Sequence, residues 1–239
     1  MEEASMENQP KWKAKAALAC YLALIGGLLT VSLVVGLVLL GMGIDYLNLP
    51  FPLVLISLPV NEALIVVIAL LFARHKGASL RELGLKKASI RILMIVSVIA
   101  VPLFLLGVGI SVGEEMVFGS DPTEEQVKGA LMPRDPFQLV AMVALSLVLV
   151  GPCEELAFRG FVQRGFENSF GKKLGLLVSS VLFGLLHGLN TPYAVIPVFV
   201  VGLMFGYIWQ RTGGNTTATA LMHGVYDAIA ITIAYYLNI

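Results

Sequence analysis

Charged residues are scarce in this 239-residue chain, because Asp, Glu, Lys and Arg make up 13% of it while 57% is hydrophobic. A soluble globular domain carries about 25% charged residues. The mean hydropathy of the chain is +0.86. Cysteine is scarce too, and both residues, Cys20 and Cys153, fall inside apolar runs, which gives no disulfide framework. No polar stretch is long enough for a soluble catalytic domain. Any chemistry must therefore take place in the apolar part, and we expect no nucleic-acid partner.

The apolar residues form runs long enough to cross a bilayer, for which a helix needs about 20 residues. Seven runs are predicted to span, at 16–43, 53–73, 92–112, 137–166, 174–189, 193–211 and 216–237. The fourth contains Gly151-Pro152, and a proline inside a helix loosens it. The sequence therefore predicts an all-α, polytopic membrane bundle of about seven transmembrane helices. We expect a tail at 1–15 and one transmembrane domain at 16–239, with the functional motifs in 150–230.

Basic residues are distributed unevenly around these runs. If the N-terminus is in the cytoplasm, all of the 16 basic residues except Lys128 and Arg134 lie on the cytoplasmic side of the membrane. This distribution agrees with the positive-inside rule. The first run is longer than the h-region of a signal peptide, about 7–15 residues, so we expect it to remain as an anchor. We expect an integral, multi-pass protein of a prokaryotic cell membrane, surrounded by lipid. The segment 76–89 is expected to form a short amphipathic helix at its cytoplasmic surface.

Ionisable side chains within spans are costly and are functional candidates by default. The candidates are Glu62, Glu154, Glu155, Arg159, His187, His223 and Asp227. A turn near Phe170-Gly171 would make the fourth and fifth helices antiparallel. Glu154 lies 16 residues before Phe170 and His187 lies 17 after it, so both are expected at similar depth. His223 and Asp227 are spaced i,i+4 and share a face of the last helix.

The adjacent glutamates of "CEELAFRG" (153–160) are predicted to differ in role. Residues spaced i,i+4 on a helix lie on one face, whereas adjacent residues diverge by about 100°. Glu155 is therefore expected to pair with Arg159. Glu154 has no basic residue at helical spacing and remains free for chemistry.

Three short motifs carry a family resemblance. "EELAFR" (154–159) matches EExxxR, "FGLLH" (183–187) matches FxxxH, and "HGVYD" (223–227) matches HxxxN/D. In this order and on apolar helices, they resemble the CPBP family. That family comprises CAAX proteases and bacteriocin-processing membrane proteins, is also called the Abi family, and includes the Rce1-type CAAX endopeptidases.

The resemblance implies an intramembrane, glutamate-dependent endopeptidase that needs no cofactor and no metal. Glu154 would match the catalytic glutamate that activates water, with His187 beside it. His223 and Asp227 would match the pair that stabilises the tetrahedral oxyanion. The supporting positions of the motifs would be Glu155, Arg159 and Phe183. The substrate would be a membrane-associated peptide or protein, either of the prenylated CAAX type or unmodified.

The third motif departs from the Rce1-type pattern, which has Asn where this chain has Asp227. An amide can donate a hydrogen bond to an oxyanion, but an ionised carboxylate cannot. Asp227 would therefore either be protonated and donate, or orient His223 and leave the donation to the imidazole. The resemblance is correspondingly weaker to prenyl-protein proteases than to the family as a whole.

Other functions are compatible with parts of the sequence. Histidines near carboxylates can bind zinc, but the HExxH motif is absent. Cys153 would be a possible nucleophile, but it points about 100° away from Glu154. A non-proteolytic scaffold, immunity protein or transporter would use Glu62 and Asn61 in a polar pathway. Cleavage of a peptide by the purified protein separates these classes. The sequence does not define the physiological substrate or the oligomeric state.

Overall fold

The computed structural model describes residues 11–44 and 51–237, which form helices and turns and contain no strand. The predicted all-α class is confirmed. We number the helices α1 (Ala14–Gly41), α2 (Phe51–His75), α3 (Ile90–Phe118), α4 (Pro122–Leu131), α5 (Pro136–His187), α6 (Val195–Arg211) and α7 (Thr216–Leu237).

Within the described ranges, six helices are long and apolar enough to cross a membrane, and α4 is not among them. The count is one below the predicted seven because α5 combines two predicted spans. Its 52 residues would extend about 78 Å if straight. However, Gly171 has a φ of 79° and a ψ of 168°, outside the helical region. A Cβ on Gly175 would lie 2.7 Å from the Cα of Glu167, so the chain folds back at Gly171. Helix α5 therefore has two antiparallel arms, 136–170 and 172–187.

The first arm of α5 continues through Gly151-Pro152, where a loosened helix was predicted. Two π-helical segments, Ser146–Val150 and Leu156–Gln163, flank a single α-helical turn at Gly151–Glu155. Pro152 has no N–H to donate to the carbonyl four residues earlier, and in an α-helix its ring would clash with that carbonyl. The wider π-turn makes room for the ring. Pro152 is thus absorbed by a wider turn without ending the helix. Such π-turns are frequent at functional sites.

The segment 76–89 is not the amphipathic helix that was predicted. It forms turns that pack against the end of the bundle. The side chain of Leu83 is fully buried, and its carbonyl accepts a hydrogen bond from the Thr216 hydroxyl. The amide of Thr216 donates to the carbonyl of Gly84. Backbone hydrogen bonds within 79–85 close these turns, and the carbonyls of Leu83 and Gly84 bind the segment to Thr216 of α7.

Two differences concern the segment 113–136, which was predicted to be a polar loop. Helix α3 continues to Phe118, six residues beyond the predicted end of the third span, and α4 forms a further short helix.

Residues 1–10 of the predicted N-terminal tail lie outside the described residues. Its last part is anchored, because the indole of Trp12 donates a hydrogen bond of 2.9 Å to the carbonyl of Phe161. Lys11 also forms an ion pair of 2.9 Å with Glu82.

The bundle core surrounds the middle of α5. One apolar cluster joins α1 and α2 to both arms of α5, with Phe158, Phe161 and Phe183 at its centre. A second cluster joins α3, α6 and α7 around Phe205 and Met222. The π-helical segment Leu156–Gln163 is buried at every residue. The polar residues in and next to this segment are consequently held in an apolar environment by packing on all sides.

Candidate active site

The fold-back of α5 brings Glu154 and His187 together. Glu154 lies on the first arm and His187 ends the second, and the Oε2 of Glu154 is 3.9 Å from the Nε2 of His187. Four residues nearer the turn, the rings of Phe158 and Phe183 meet with centroids 4.8 Å apart. The two arms are therefore in register, as the spacing of Glu154 and His187 from the turn predicted.

The orientation of the His187 ring defines which nitrogen faces the glutamate. Its Nδ1 lies 3.0 Å from the carbonyl oxygen of Phe183. A carbonyl can only accept, so Nδ1 carries the proton and donates it. In the neutral ring, Nε2 then has a free lone pair, and Nε2 is the atom that faces Glu154. The backbone of the helix thus fixes both the tautomer and the direction of the imidazole.

His223, on α7, sits between three carboxyl groups. Its Nδ1 is 3.4 Å from the Oε1 of Glu155. Its Nε2 is 4.0 Å from the Oε2 of Glu154 and 3.6 Å from the Oδ2 of Asp227. Glu155 therefore faces one side of the ring, and Glu154 and Asp227 face the other. The ring of Phe205 packs against His223 with a centroid separation of 4.8 Å.

Glu155 and Arg159 form the predicted i,i+4 pair, with 3.3 Å between the Oε2 of Glu155 and the Nε of Arg159. Both side chains are 0% exposed. The guanidinium also lies 4.7 Å from the centroid of the Phe183 ring and 6.0 Å from that of Phe205, within the range of cation–π attraction. One carboxylate and two aromatic faces hold this buried charge beside the catalytic candidates.

The exposure of the polar side chains separates the site into two layers. Glu154, His187 and Asp227 are 12%, 25% and 23% exposed, whereas Glu155 and Arg159 are sealed. These three side chains are thus partly open to water or substrate, although the Oε2 of Glu154 is itself buried. The pair formed by Glu155 and Arg159 acts only through its neighbours.

Close backbone approach places α7 against α5 at this level. A Cβ on Gly151 would lie 2.5 Å from the carbonyl oxygen of Ala220 and 2.8 Å from the amide of Gly224. A Cβ on Gly224 would lie 2.8 Å from the Cα of Leu147. Any larger residue at either glycine would push the two helices apart. The two glycines therefore set the position of His223 relative to the glutamates.

All seven residues singled out as catalytic or supporting are brought together in the structure: Glu154, Glu155, Arg159, Phe183, His187, His223 and Asp227. Sequence reasoning did not connect Glu62 with them. This glutamate, on α2, is buried within electrostatic range of Glu154, His223 and Asp227. Its place inside an apolar span was the available signal.

Among the described residues, no three His, Cys, Asp or Glu side chains are arranged as ligands of one metal ion. Cys153, the other nucleophile that was considered, is buried.

Residues 136–229 match the model of a protein family described as type II CAAX prenyl endopeptidase, Rce1-like. The predicted resemblance is thereby confirmed over the part of the chain that contains the site. An uncharacterized protein of Mycoplasma capricolum subsp. capricolum (strain California kid) is 28% identical over 96 residues. The match covers 40% of this chain and 28% of that relative's length. No solved structure matches the chain. The family match and the apolar helices indicate an integral, multi-pass membrane protein.

Proposed function

We propose that this chain, whose residues 136–229 match the Rce1-like endopeptidases, is an intramembrane glutamate-dependent endopeptidase. It would hydrolyse a peptide bond of a membrane-associated substrate, and the matched family favours the prenylated CAAX class. One observation carries the proposal. A partly accessible glutamate faces the free nitrogen of a backbone-oriented histidine, 3.9 Å away, in an otherwise apolar bundle.

The first step is activation of water between Glu154 and His187. A separation of 3.9 Å is too long for a direct hydrogen bond, but one water molecule can contact both atoms. Glu154 accepts a proton from this water as its oxygen attacks the carbonyl carbon of the substrate. The lone pair of His187 Nε2 holds the water in the attacking direction. General-base catalysis of this kind contributes about 10²–10⁴-fold to the rate.

The second step is stabilisation of the tetrahedral oxyanion by His223 and Asp227. The Nε2 of His223 points to the same side as Glu154, while its Nδ1 faces Glu155. In the imidazolium form of His223, Nδ1–H points to Glu155, which orients the ring, and Nε2–H donates to the oxyanion. Asp227 also lies on the Nε2 side. A carboxyl group that only oriented the ring would face Nδ1. The position on the Nε2 side therefore favours a protonated Asp227 that donates a second hydrogen bond to the oxyanion.

Collapse of the intermediate breaks the carbon–nitrogen bond and regenerates the site. The proton that Glu154 took from water passes to the leaving amine nitrogen. Glu154 returns to its ionised form, and the new carboxylic acid gives its remaining proton to the released amine, so that the two products are a carboxylate and an ammonium group. No group outside this chain is needed to balance these steps.

Mass spectrometry of peptide products tests the proposed function. The purified chain in liposomes is incubated with a prenylated CAAX peptide and with its unprenylated counterpart, in water enriched in ¹⁸O. We expect one ¹⁸O atom in the new carboxyl group, faster cleavage of the prenylated peptide, no effect of a chelator, and cleavage by Cys153→Ser. No cleavage of either peptide would favour the scaffold or transport alternative. Loss of cleavage in Cys153→Ser or with the chelator would contradict the mechanism.

A further inference from the structure

Glu62 is a carboxyl group inside the bundle that the proposed mechanism does not use. It lies on α2, whose other residues between Phe51 and Ala73 carry no charge. The residue is 3% exposed. Its Oε2 has no hydrogen-bond partner among the described residues. An acidic side chain in such a place is costly and is a functional candidate.

The neighbours of Glu62 belong to the candidate active site. Helix α2 packs against the turn Gly151–Glu155 and against the π-helical segment that follows it. The groups that act electrostatically on Glu62 are Glu154, His223 and Asp227. Helix α1, which also packs on α2, carries a single charge, Lys15, at its first turn. No cation within 4 Å compensates Glu62 in the described part of the chain.

The charges of the site do not balance if every carboxyl group is ionised. Four carboxyl groups, those of Glu62, Glu154, Glu155 and Asp227, share at most one imidazolium, that of His223, and one permanent cation. That cation, Arg159, is committed to Glu155 at 3.3 Å. The ionised form of a buried, unpaired carboxyl group is strongly disfavoured in an apolar medium. Glu154 and Asp227 are partly exposed, so Glu62 is the group for which ionisation costs the most.

We propose that Glu62 is a neutral, proton-carrying carboxyl group that positions Glu154 by donating a hydrogen bond towards the catalytic carboxylate. The charge of the pair then resides on Glu154, where the water is activated. Two acidic groups in one apolar site divide their roles in this way when only one of them can be ionised. The effect on catalysis rests on the proposed function, whereas the protonation of Glu62 does not.

Three variants separate the possible roles of Glu62 in the cleavage assay. Glu62→Gln keeps the shape and a donor, so we expect less than about tenfold loss of kcat. Glu62→Leu removes the donor, and we expect about 10–100-fold loss of kcat, the value of a hydrogen bond to a charged group, with little change in KM or in the unfolding temperature. Asn61→Leu, on the adjacent residue, controls for an added apolar side chain. An equal loss of kcat in Glu62→Gln and Glu62→Leu, or full activity of Glu62→Leu, would overturn the proposal.

Infrared spectroscopy tests the protonation state without any activity. The spectrum of Glu62→Gln in liposomes at neutral pH is subtracted from that of the unmodified chain, and the subtraction is repeated for Glu154→Gln. We expect the first difference to contain the carbonyl stretch of a protonated carboxyl group, and the second to contain a carboxylate band. A carboxylate band in the Glu62→Gln difference would overturn the proposal, whether or not the chain cleaves peptides.

Discussion

Glu154 and Glu155 are adjacent residues of the same type in different surroundings. The carboxylate of Glu155 touches Arg159 and His223 and has no contact with solvent. That of Glu154 touches no permanent cation and faces the Nε2 atoms of His187 and His223. A charge that is fully paired stabilises the fold but cannot easily accept a proton from water. The surroundings therefore support a catalytic role for Glu154 and a structural role for Glu155.

Glu155 and Arg159 should be energetically coupled. We expect Glu155→Gln and Arg159→Ala each to lower the free energy of unfolding by about 3–5 kcal/mol, because either change leaves a buried charge without its partner. The double variant should cost less than the sum of the single ones. Thermal or denaturant unfolding in detergent provides the measurement. Additive losses would show that the two side chains do not stabilise each other.

Phe183 should affect both stability and catalysis. Its ring lies 4.7 Å from the guanidinium of Arg159 and 4.7 Å, centroid to centroid, from the ring of His187. We expect Phe183→Leu to lower the free energy of unfolding by about 1–3 kcal/mol, through lost packing and cation–π attraction, and to lower kcat more than KM. Phe170→Leu, at the exposed fold-back of α5, is the matched control. Equal effects of the two substitutions would contradict this role.

At the scale of helices, the contact between α5 and α7 determines where the third motif lies. Gly151 and Gly224 face each other's backbones at distances that exclude a side chain. Small residues at such crossings let transmembrane helices approach closely. His223 is next to Gly224, so a change in this crossing moves the imidazole relative to both glutamates.

Gly151→Ala should impair folding and the proposed cleavage through this crossing. The added methyl group would lie 2.5 Å from the carbonyl of Ala220, and overpacking of this kind costs about 1–3 kcal/mol. We expect a lower unfolding temperature and a lower kcat. Gly36→Ala is the control, because no atom lies within 4 Å of a Cβ at Gly36. Comparable stability of both variants would show that the helices can separate without cost.

Much of this arrangement follows from local periodicity. The i,i+4 spacing correctly places Glu155 against Arg159 and His223 beside Asp227, and the residue count on either side of the fold-back brings Glu154 to His187. Apolar runs predict the spans because the bilayer imposes their length. For α7 the predicted bounds, 216–237, agree with the structure.

Features that depend on contacts between distant segments could not be predicted in the same way. The turns of 76–89 are held against α7 because the carbonyls of Leu83 and Gly84 bond to Thr216, a partner that no local pattern reveals. The π-turns around Pro152 shift the angular positions that an ideal α-helix would give. The placement of His223 between both glutamates, and of Glu62 beside them, depends on how α2 and α7 pack on α5.

At the scale of the whole molecule, the charge distribution predicts the orientation in the membrane. All of the 16 basic residues except Lys128 and Arg134 belong to the side assigned to the cytoplasm. We expect a single cysteine at Arg81→Cys to react with an impermeant reagent only after permeabilisation of cells, and one at Ser120→Cys to react in intact cells. A Cys20→Ser, Cys153→Ser background leaves one thiol in each variant. The reverse pattern would invert the topology.

The central claim is that a single carboxylate, that of Glu154, activates water for peptide hydrolysis. The most direct test is the cleavage rate of the purified Glu154→Gln variant in liposomes, on a peptide that the unmodified chain cleaves. The amide fills the same space but cannot accept the proton, so we expect about 10²–10⁴-fold loss of kcat, with an unchanged unfolding temperature. Full activity of Glu154→Gln in the folded protein would contradict the glutamate-dependent mechanism.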